Sequence, residues 1–138
     1  MTTFKTLLTA LAFVAAAGAS AEARVPLQED KIIDDGLTLV AIGNYLRKKC
    51  DDISPRFWKT YNFMTGLQAR ARDLGYSDAE IEAYLDDRDE KKRVKDRARA
   101  YLEARGADFD DPVTFCTVGR AEIAEGTSVG QFLKARQP

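Results

Sequence analysis

The two cysteines are the residues of this sequence whose chemistry is most informative. Cys50 and Cys116 are the only cysteines among the 138 residues. They could form a structural disulfide, remain as two free thiols or act as a redox-active pair. Redox-active pairs are typically spaced C-x-x-C, which is not the spacing found here. We therefore predict a structural disulfide, a bond that persists in oxidising compartments.

The sequence lacks most of the residues on which enzymes rely. It contains no histidine, so the usual general base, the usual zinc ligand and the C-x-x-C-H haem motif are missing. It has neither a Ser/His/Asp set nor a glycine-rich phosphate-binding loop. We predict no catalytic residue, no cofactor-binding residue and no cofactor. An enzyme that uses carboxylates or lysine is the least supported interpretation.

One acidic cluster could suggest calcium binding. Asp108, Asp110 and Asp111 fall within four positions, but the EF-hand pattern requires a glutamate at its twelfth position, where this chain has Gly119. Capping of the following helix by Asp111 is the simpler interpretation. We therefore predict no metal site.

A basic run provides the first candidate surface for a partner. Its central residues are Lys91, Lys92, Arg93 and Lys95. Because Asp89, Glu90 and Asp96 are interleaved with them, a solvated helix face is one interpretation. The other is a surface for a protein partner with an acidic face.

Trp58 is the second candidate for a partner surface. It lies about a quarter turn away from the apolar stripe of its predicted helix. It either packs against a neighbouring helix or marks a surface that binds a partner. A third hypothesis places Phe57, Trp58 and Tyr61 between helices around a small apolar or aromatic ligand.

The N-terminus has the pattern of a cleavable signal peptide. Lys5 precedes an apolar run from Leu7 to Ala17 that is shorter than the about 20 residues needed to span a bilayer. Small residues then allow cleavage after Ala21 or Ala23; a buried N-terminal helix is the alternative. We predict a signal peptide at 1–21 and a periplasmic or secreted protein without a membrane span after cleavage. The net charge of −1 argues against a nucleic-acid partner and against attraction to an anionic membrane.

Residues 22–138 are predicted to form one all-α domain, a compact bundle of five or six short helices. The first helix is predicted to be capped by Asp34 or Asp35 and to run to about Lys49. Because its apolar residues are distributed around nearly the whole circumference of the helix, it should be the buried, central helix. Ser54-Pro55 should open the second helix, and no segment has the alternation of a strand. Three further helices are predicted to start at the Ser77–Glu80 capping box, at Asp111-Pro112 and at Ser128. A kink or break is predicted near Asp87. Helices are predicted to end at Gly75, Gly106 and Gly126.

Two tertiary contacts are also predicted. Cys50 shares a helix face with Gly43, and Cys116 shares one with Gly119, so backbones can approach closely enough for a disulfide. The end of the first helix should therefore be joined to the 111–125 helix. Arg120 should be buried and paired with Asp34, Asp35 or Glu122.

Several segments together resemble a known family. They are Ile33-Asp34-Asp35-Gly36-Leu37, the run from Cys50 to Arg56, the run from Leu74 to Asp78, and Cys116 followed by Gly119 to Ile123. They resemble a family of small exported alphaproteobacterial proteins classed as a domain of unknown function. This resemblance implies a Gram-negative periplasm and a paired cysteine, and it implies no activity or catalytic residue. Our main hypothesis is a non-enzymatic interaction or accessory protein.

Overall fold

The computed structural model describes residues 23–136, and within them the predicted all-α fold is confirmed. The predicted signal peptide at 1–21 lies outside the described residues. The helices are α1 (Lys31–Lys49), α2 (Phe57–Asp73), α3 (Asp78–Asp86), α4 (Arg88–Ala104) and α5 (Val113–Glu125), with 3-10 turns at Leu27–Glu29 and Gly130–Phe132. Two short strands, β1 (Ile53–Pro55) and β2 (Leu133–Ala135), pair antiparallel. No helix in this part of the chain is long and apolar enough to cross a membrane.

Two groups of buried residues share α1. The larger group joins α1 to α4, α5 and the strands, and it contains the fully buried Leu46, Leu102 and Phe115. The smaller group joins the start of α1 to α2 and α3. Its members are Leu27, Ile33, Ala71 and Ile81. Because α1 is apolar around most of its circumference, it can contact both groups, as expected of a central helix.

The predicted disulfide between Cys50 and Cys116 is confirmed. The two Cα atoms are 5.1 Å apart, and the bond joins the end of α1 to α5. Gly119 permits the close packing at this junction, since a Cβ atom there would lie only 2.0 Å from Ile53 Cδ1. A larger residue at position 119 would therefore force the Ile53 side chain to move, which agrees with the close approach that the sequence analysis expects at Gly119.

The start of α1 is tied to the end of α2 by a buried carboxylate. Asp30 caps α1 by accepting a hydrogen bond of 3.1 Å from the Ile33 N–H. Its Oδ2 also lies 2.6 Å from Arg70 Nη2, and this guanidinium lowers the pKa of Asp30. The predicted cap at Asp34 or Asp35 is therefore wrong: both residues lie inside the helix, where their side chains bind Arg97.

The predicted start of the second helix is also wrong. Ser54 and Pro55 belong to β1, and α2 begins at Phe57. β1 pairs with a single neighbour, so Pro55 can occupy it although proline lacks an N–H. The last predicted helix, with Val129, Phe132 and Leu133, is replaced by the 3-10 turn and β2.

The remaining helix boundaries are confirmed. Ser77 and Glu80 form the reciprocal capping box of α3. The chain breaks at Asp87, whose carboxylate accepts a hydrogen bond of 2.8 Å from the Glu90 N–H and so caps α4. Helices α2, α4 and α5 each end beside a glycine of positive φ, which favours glycine because it has no Cβ.

We expect the disulfide to supply a large part of the stability of this domain. Its closed loop spans a sequence separation of 66 residues, for which the chain-entropy relation gives about 4 kcal/mol. The C50A/C116A variant should lose roughly this free energy of unfolding in urea titrations. Reductant should destabilise the wild type and leave the variant unchanged. Two reactive thiols in the native protein would contradict the account.

Candidate functional site

The basic residues of α4 divide between two sides of the helix. Lys91, Lys92 and Lys95 border a shallow groove together with two further cations, Arg88 and Arg99. Asp96 in the same groove pairs with Lys92 at 2.5 Å. This groove therefore carries an excess of positive charge, and it contains three of the four basic residues that the sequence predicts for a partner surface.

Arg93 is the fourth of these residues, and it faces the other way. Its Nη2 lies 2.7 Å from Asp34 Oδ1, and the two groups form an ion pair. Arg93 also binds Glu90 at 2.9 Å, and Arg97 binds both Asp34 and Asp35. This network joins α4 to α1, so the role of Arg93 is to hold these two helices together.

Three ionisable groups in and beside the network have shifted pKa values. The Asp34 carboxylate raises the pKa of Arg93, and Lys31 together with Arg97 lowers the pKa of Asp35. Burial and a hydrogen bond to Glu90 raise the pKa of Tyr84 to about 12. A general acid or base needs a pKa near the working pH. These shifts move each group away from that range.

Glu122 is the charged residue that the core encloses. Its side chain is 0% exposed and lies 2.7 Å from Arg105 Nε. The Tyr101 hydroxyl donates to both carboxylate oxygens at 3.0 Å, and the Thr127 hydroxyl also donates. Because the carboxylate is enclosed and fully hydrogen-bonded, it has no access to a substrate.

The predicted burial of Arg120 is wrong. Arg120 is exposed and pairs with Asp52 at 2.6 Å, because its long side chain extends from the edge of α5 to the surface. Glu122 instead shares the buried face of α5 with Phe115 and Val118. The helical spacing of these three residues is the sequence signal that identifies Glu122.

Three aromatic side chains at the start of α2 form an exposed cluster, which we call the aromatic surface. Phe57, Trp58 and Tyr61 are 64%, 72% and 53% exposed. The ring of Trp58 lies 5.2 Å from that of Phe57 and 6.2 Å from that of Tyr61, measured between centroids. Trp58 thus contacts these two neighbours, and the three rings do not enclose a space between helices.

The opposite face of the same helix explains this exposure. Phe63 packs on Phe132 with centroids 4.9 Å apart, and Lys59 Nζ lies 5.3 Å from the same ring. Further along, Leu67 packs against Gly36 of α1. Since positions 63 and 67 face inward, the aromatic surface faces outward. Four residues of the predicted apolar stripe of this helix are Phe57, Tyr61, Leu67 and Ala71. The prediction is correct for the buried Leu67 and Ala71 and wrong for the exposed Phe57 and Tyr61.

Positive charge accompanies the aromatic surface. The sequence has no acidic residue between Ile53 and Arg72. Arg56 donates to the Leu133 carbonyl at 3.0 Å, and Lys59 donates to Gln131 at 3.0 Å. Neither forms an ion pair with any carboxylate of residues 23–136, so both charges remain uncompensated there.

The acidic loop before α5 is organised by its own hydrogen bonds. Asp108 accepts from the Asp110 N–H at 2.9 Å, and Asp111 accepts from the Val113 N–H at 3.1 Å. The described residues contain no group of three potential ligands arranged to hold a metal ion. Asp111 therefore contacts the first residue of α5, but the N-cap position is occupied by Pro112 and not by Asp111 as predicted.

The observed fold defines a small all-helical domain closed by one disulfide. The chain belongs to a family of unknown function (DUF5333), whose family model matches residues 25–134. The resemblance to a family of unknown function is thereby confirmed. No curated protein and no solved structure matches the chain significantly.

We expect the Glu122–Arg105 pair to be essential for stability. Arg105→Met leaves the carboxylate buried without its cation and should cost about 3–5 kcal/mol of unfolding free energy. The double variant R105M/E122Q should recover part of this loss, because no buried charge then remains unpaired. The control is Arg120→Met, which removes an exposed pair and should cost at most about 1 kcal/mol. Equal stability of the R105M variant and the wild type would contradict the assignment.

Proposed function

We propose that this protein is an exported, non-enzymatic interaction protein that binds a partner protein through the aromatic surface. The observation that carries this proposal is the outward exposure of Phe57, Trp58 and Tyr61 as one contiguous cluster. Tryptophan and tyrosine are the side chains most enriched among the residues that dominate binding energy in interfaces.

The size of the cluster suits this role. A buried aromatic residue covers about 150–250 Å², so the exposed parts of the three rings amount to roughly 400 Å². A standard interface buries about 800 Å² on each partner. The aromatic surface would therefore supply the apolar centre of such an interface, and the polar residues around it would supply the rim.

The surrounding charge indicates the chemistry of the partner. Arg56 and Lys59 adjoin Phe57 and Trp58 in the sequence, and neither forms an ion pair with a carboxylate of the described domain. Charge complementarity favours a partner whose apolar contact area is bordered by acidic side chains. We therefore propose an acidic partner protein, and we treat an anionic lipid surface as the competing outcome.

The absence of catalysis is supported by the state of the polar groups. Glu122 is enclosed, and the carboxylates of Asp34 and Asp35 are paired with Arg93 and Arg97. The pKa of Tyr84, at about 12, keeps this hydroxyl protonated at neutral pH. These groups serve packing and helix contacts, and none is both free and tuned for proton transfer.

Export to the periplasm is supported by the N-terminal pattern and by the disulfide. Both predicted cleavage positions precede Arg24, which takes part in the domain. Arg24 Nη1 donates to the Gly75 carbonyl at 2.8 Å, and its Nη2 lies 2.8 Å from Glu80. Removal of the predicted signal peptide would therefore leave these contacts intact. Disulfides are also rare in cytosolic proteins of ordinary organisms.

The proposal predicts selective loss of binding when the aromatic surface is changed. Tagged wild-type protein, purified with its disulfide intact, would be used to capture partners from the envelope fraction of the source cells. F57S/W58S/Y61S should abolish binding to the captured and then purified partner. The variant I32S/V113S, which alters two exposed apolar residues elsewhere, should bind like the wild type.

Two outcomes would contradict the proposal. One is a partner that binds the aromatic variant and the wild type equally well. The other is binding of the wild type to anionic phospholipid vesicles, lost in F57S/W58S/Y61S, without any protein partner. In the second case the aromatic surface would be a membrane contact, as tryptophan and tyrosine often are.

A further inference from the structure

A second, separate feature of the domain is an apolar cavity between four helices that is widely open to solvent on one side. It has a volume of about 270 Å³. Its apolar walls are contributed by α1, α2, α3 and α4. The residues that form them are Leu37, Val40, Ala41, Met64, Leu85 and Val94.

The cavity lies where the two groups of buried residues adjoin. Leu37 and Leu85 pack against the smaller group, and Ala41 packs against the larger one. All six wall residues are only partly buried, so they leave room between the two groups. Met64 is unbranched and adaptable, which allows this wall to adjust to the shape of a ligand.

The polar residues that line the cavity carry unequal charges. Lys91 and Lys95 border the opening on α4, with Asn44 on α1 and Glu90. Lys91 pairs with Asp86 at 3.0 Å, whereas Lys95 has no ion pair with any carboxylate of residues 23–136. The carboxylate of Glu90 already accepts hydrogen bonds from Tyr84 and Arg93. The cation left available at the rim is therefore Lys95.

The surface beside the cavity further favours the binding of an anionic ligand. Lys91 and Lys95 also border the basic groove of α4, which continues with Arg88, Lys92 and Arg99. Although Asp96 pairs with Lys92 in this groove, cations are in excess among its lining residues, and such an excess raises the local concentration of anions. An anionic ligand would therefore be attracted electrostatically as it approaches the rim. Once bound, it could form an ion pair with Lys95.

We propose that this cavity binds a small amphipathic carboxylate, with its apolar part between the helices and its carboxylate on Lys95. A cavity of about 150 Å³ holds benzene, so about 270 Å³ accommodates roughly ten non-hydrogen atoms. A straight-chain carboxylate of the size of octanoate meets this limit. The side-chain amide of Asn44, across the opening, can donate a second hydrogen bond to the carboxylate.

This inference is independent of the proposed partner surface. The cavity uses α1, α3 and α4 together with Met64 of α2, whereas the aromatic surface uses the first turns of α2. The failure of one proposal therefore leaves the other standing. The Lys95→Glu variant makes this distinction directly, because it should still bind the protein partner.

The test is a titration of the full mature chain with octanoate, octanol and octylamine, followed by calorimetry. Octanoate should bind most tightly, octanol more weakly and octylamine most weakly. Lys95→Glu should weaken octanoate binding by about tenfold or more, because an attraction becomes a repulsion. Lys48→Glu, at an exposed position of α1 outside the cavity, is the matched control and should bind octanoate like the wild type.

Filling the cavity provides the second readout. Ala41→Leu places a larger side chain in the wall and should abolish octanoate binding while the helical circular-dichroism spectrum is retained. If this variant does not fold, Lys95→Glu and the three-ligand series decide the question. No octanoate binding by the wild type would overturn the proposal. So would octylamine binding as tight as octanoate binding, or an affinity that K95E leaves unchanged.

Discussion

The Cys50–Cys116 disulfide fixes the end of α1 against α5, and the packing around it depends on this contact. Gly119 leaves the space that Ile53 occupies, so β1 can lie directly beside α5. β2 then pairs with β1 and brings Phe132 under α2. A domain of this size has little core from which to draw stability, so one cross-link has a large effect.

The same arrangement determines what is left on the surface. Because α2 packs through Phe63 on Phe132 and through Leu67 on Gly36, its remaining face at Trp58 turns toward solvent. α1 is shared by two groups of buried residues, and the cavity lies between them. Both proposed binding features thus follow from the way in which α1 and α2 pack. Each feature has a nearby lysine without an ion pair in the described residues, Lys59 in sequence beside Trp58 and Lys95 at the cavity, although the net charge of the chain is only −1.

Local signals were enough to predict much of this fold. The capping box at Ser77 and the break at Asp87 were identified because their hydrogen bonds form within a few residues along the chain. The strands were missed because β1 has three residues, includes Pro55, and is held by a partner nearly eighty residues away. For the same reason the sequence did not decide whether Trp58 is buried or exposed. Its position on the helix could be predicted from the spacing, but the elements that pack against α2 could not. The cavity had no sequence signal, since four helices contribute to it.

The central claim is that an exported domain meets a protein partner at Trp58, and crosslinking in intact cells tests it most directly. A photoreactive amino acid would replace Trp58 in the full chain, and Ile32 would be replaced in the control. We predict a single covalent adduct from position 58, in a non-cytoplasmic fraction, with the chain cleaved after Ala21 or Ala23. Position 32 should give no such adduct. An uncleaved cytoplasmic chain, or the same adducts from both positions, would contradict the account.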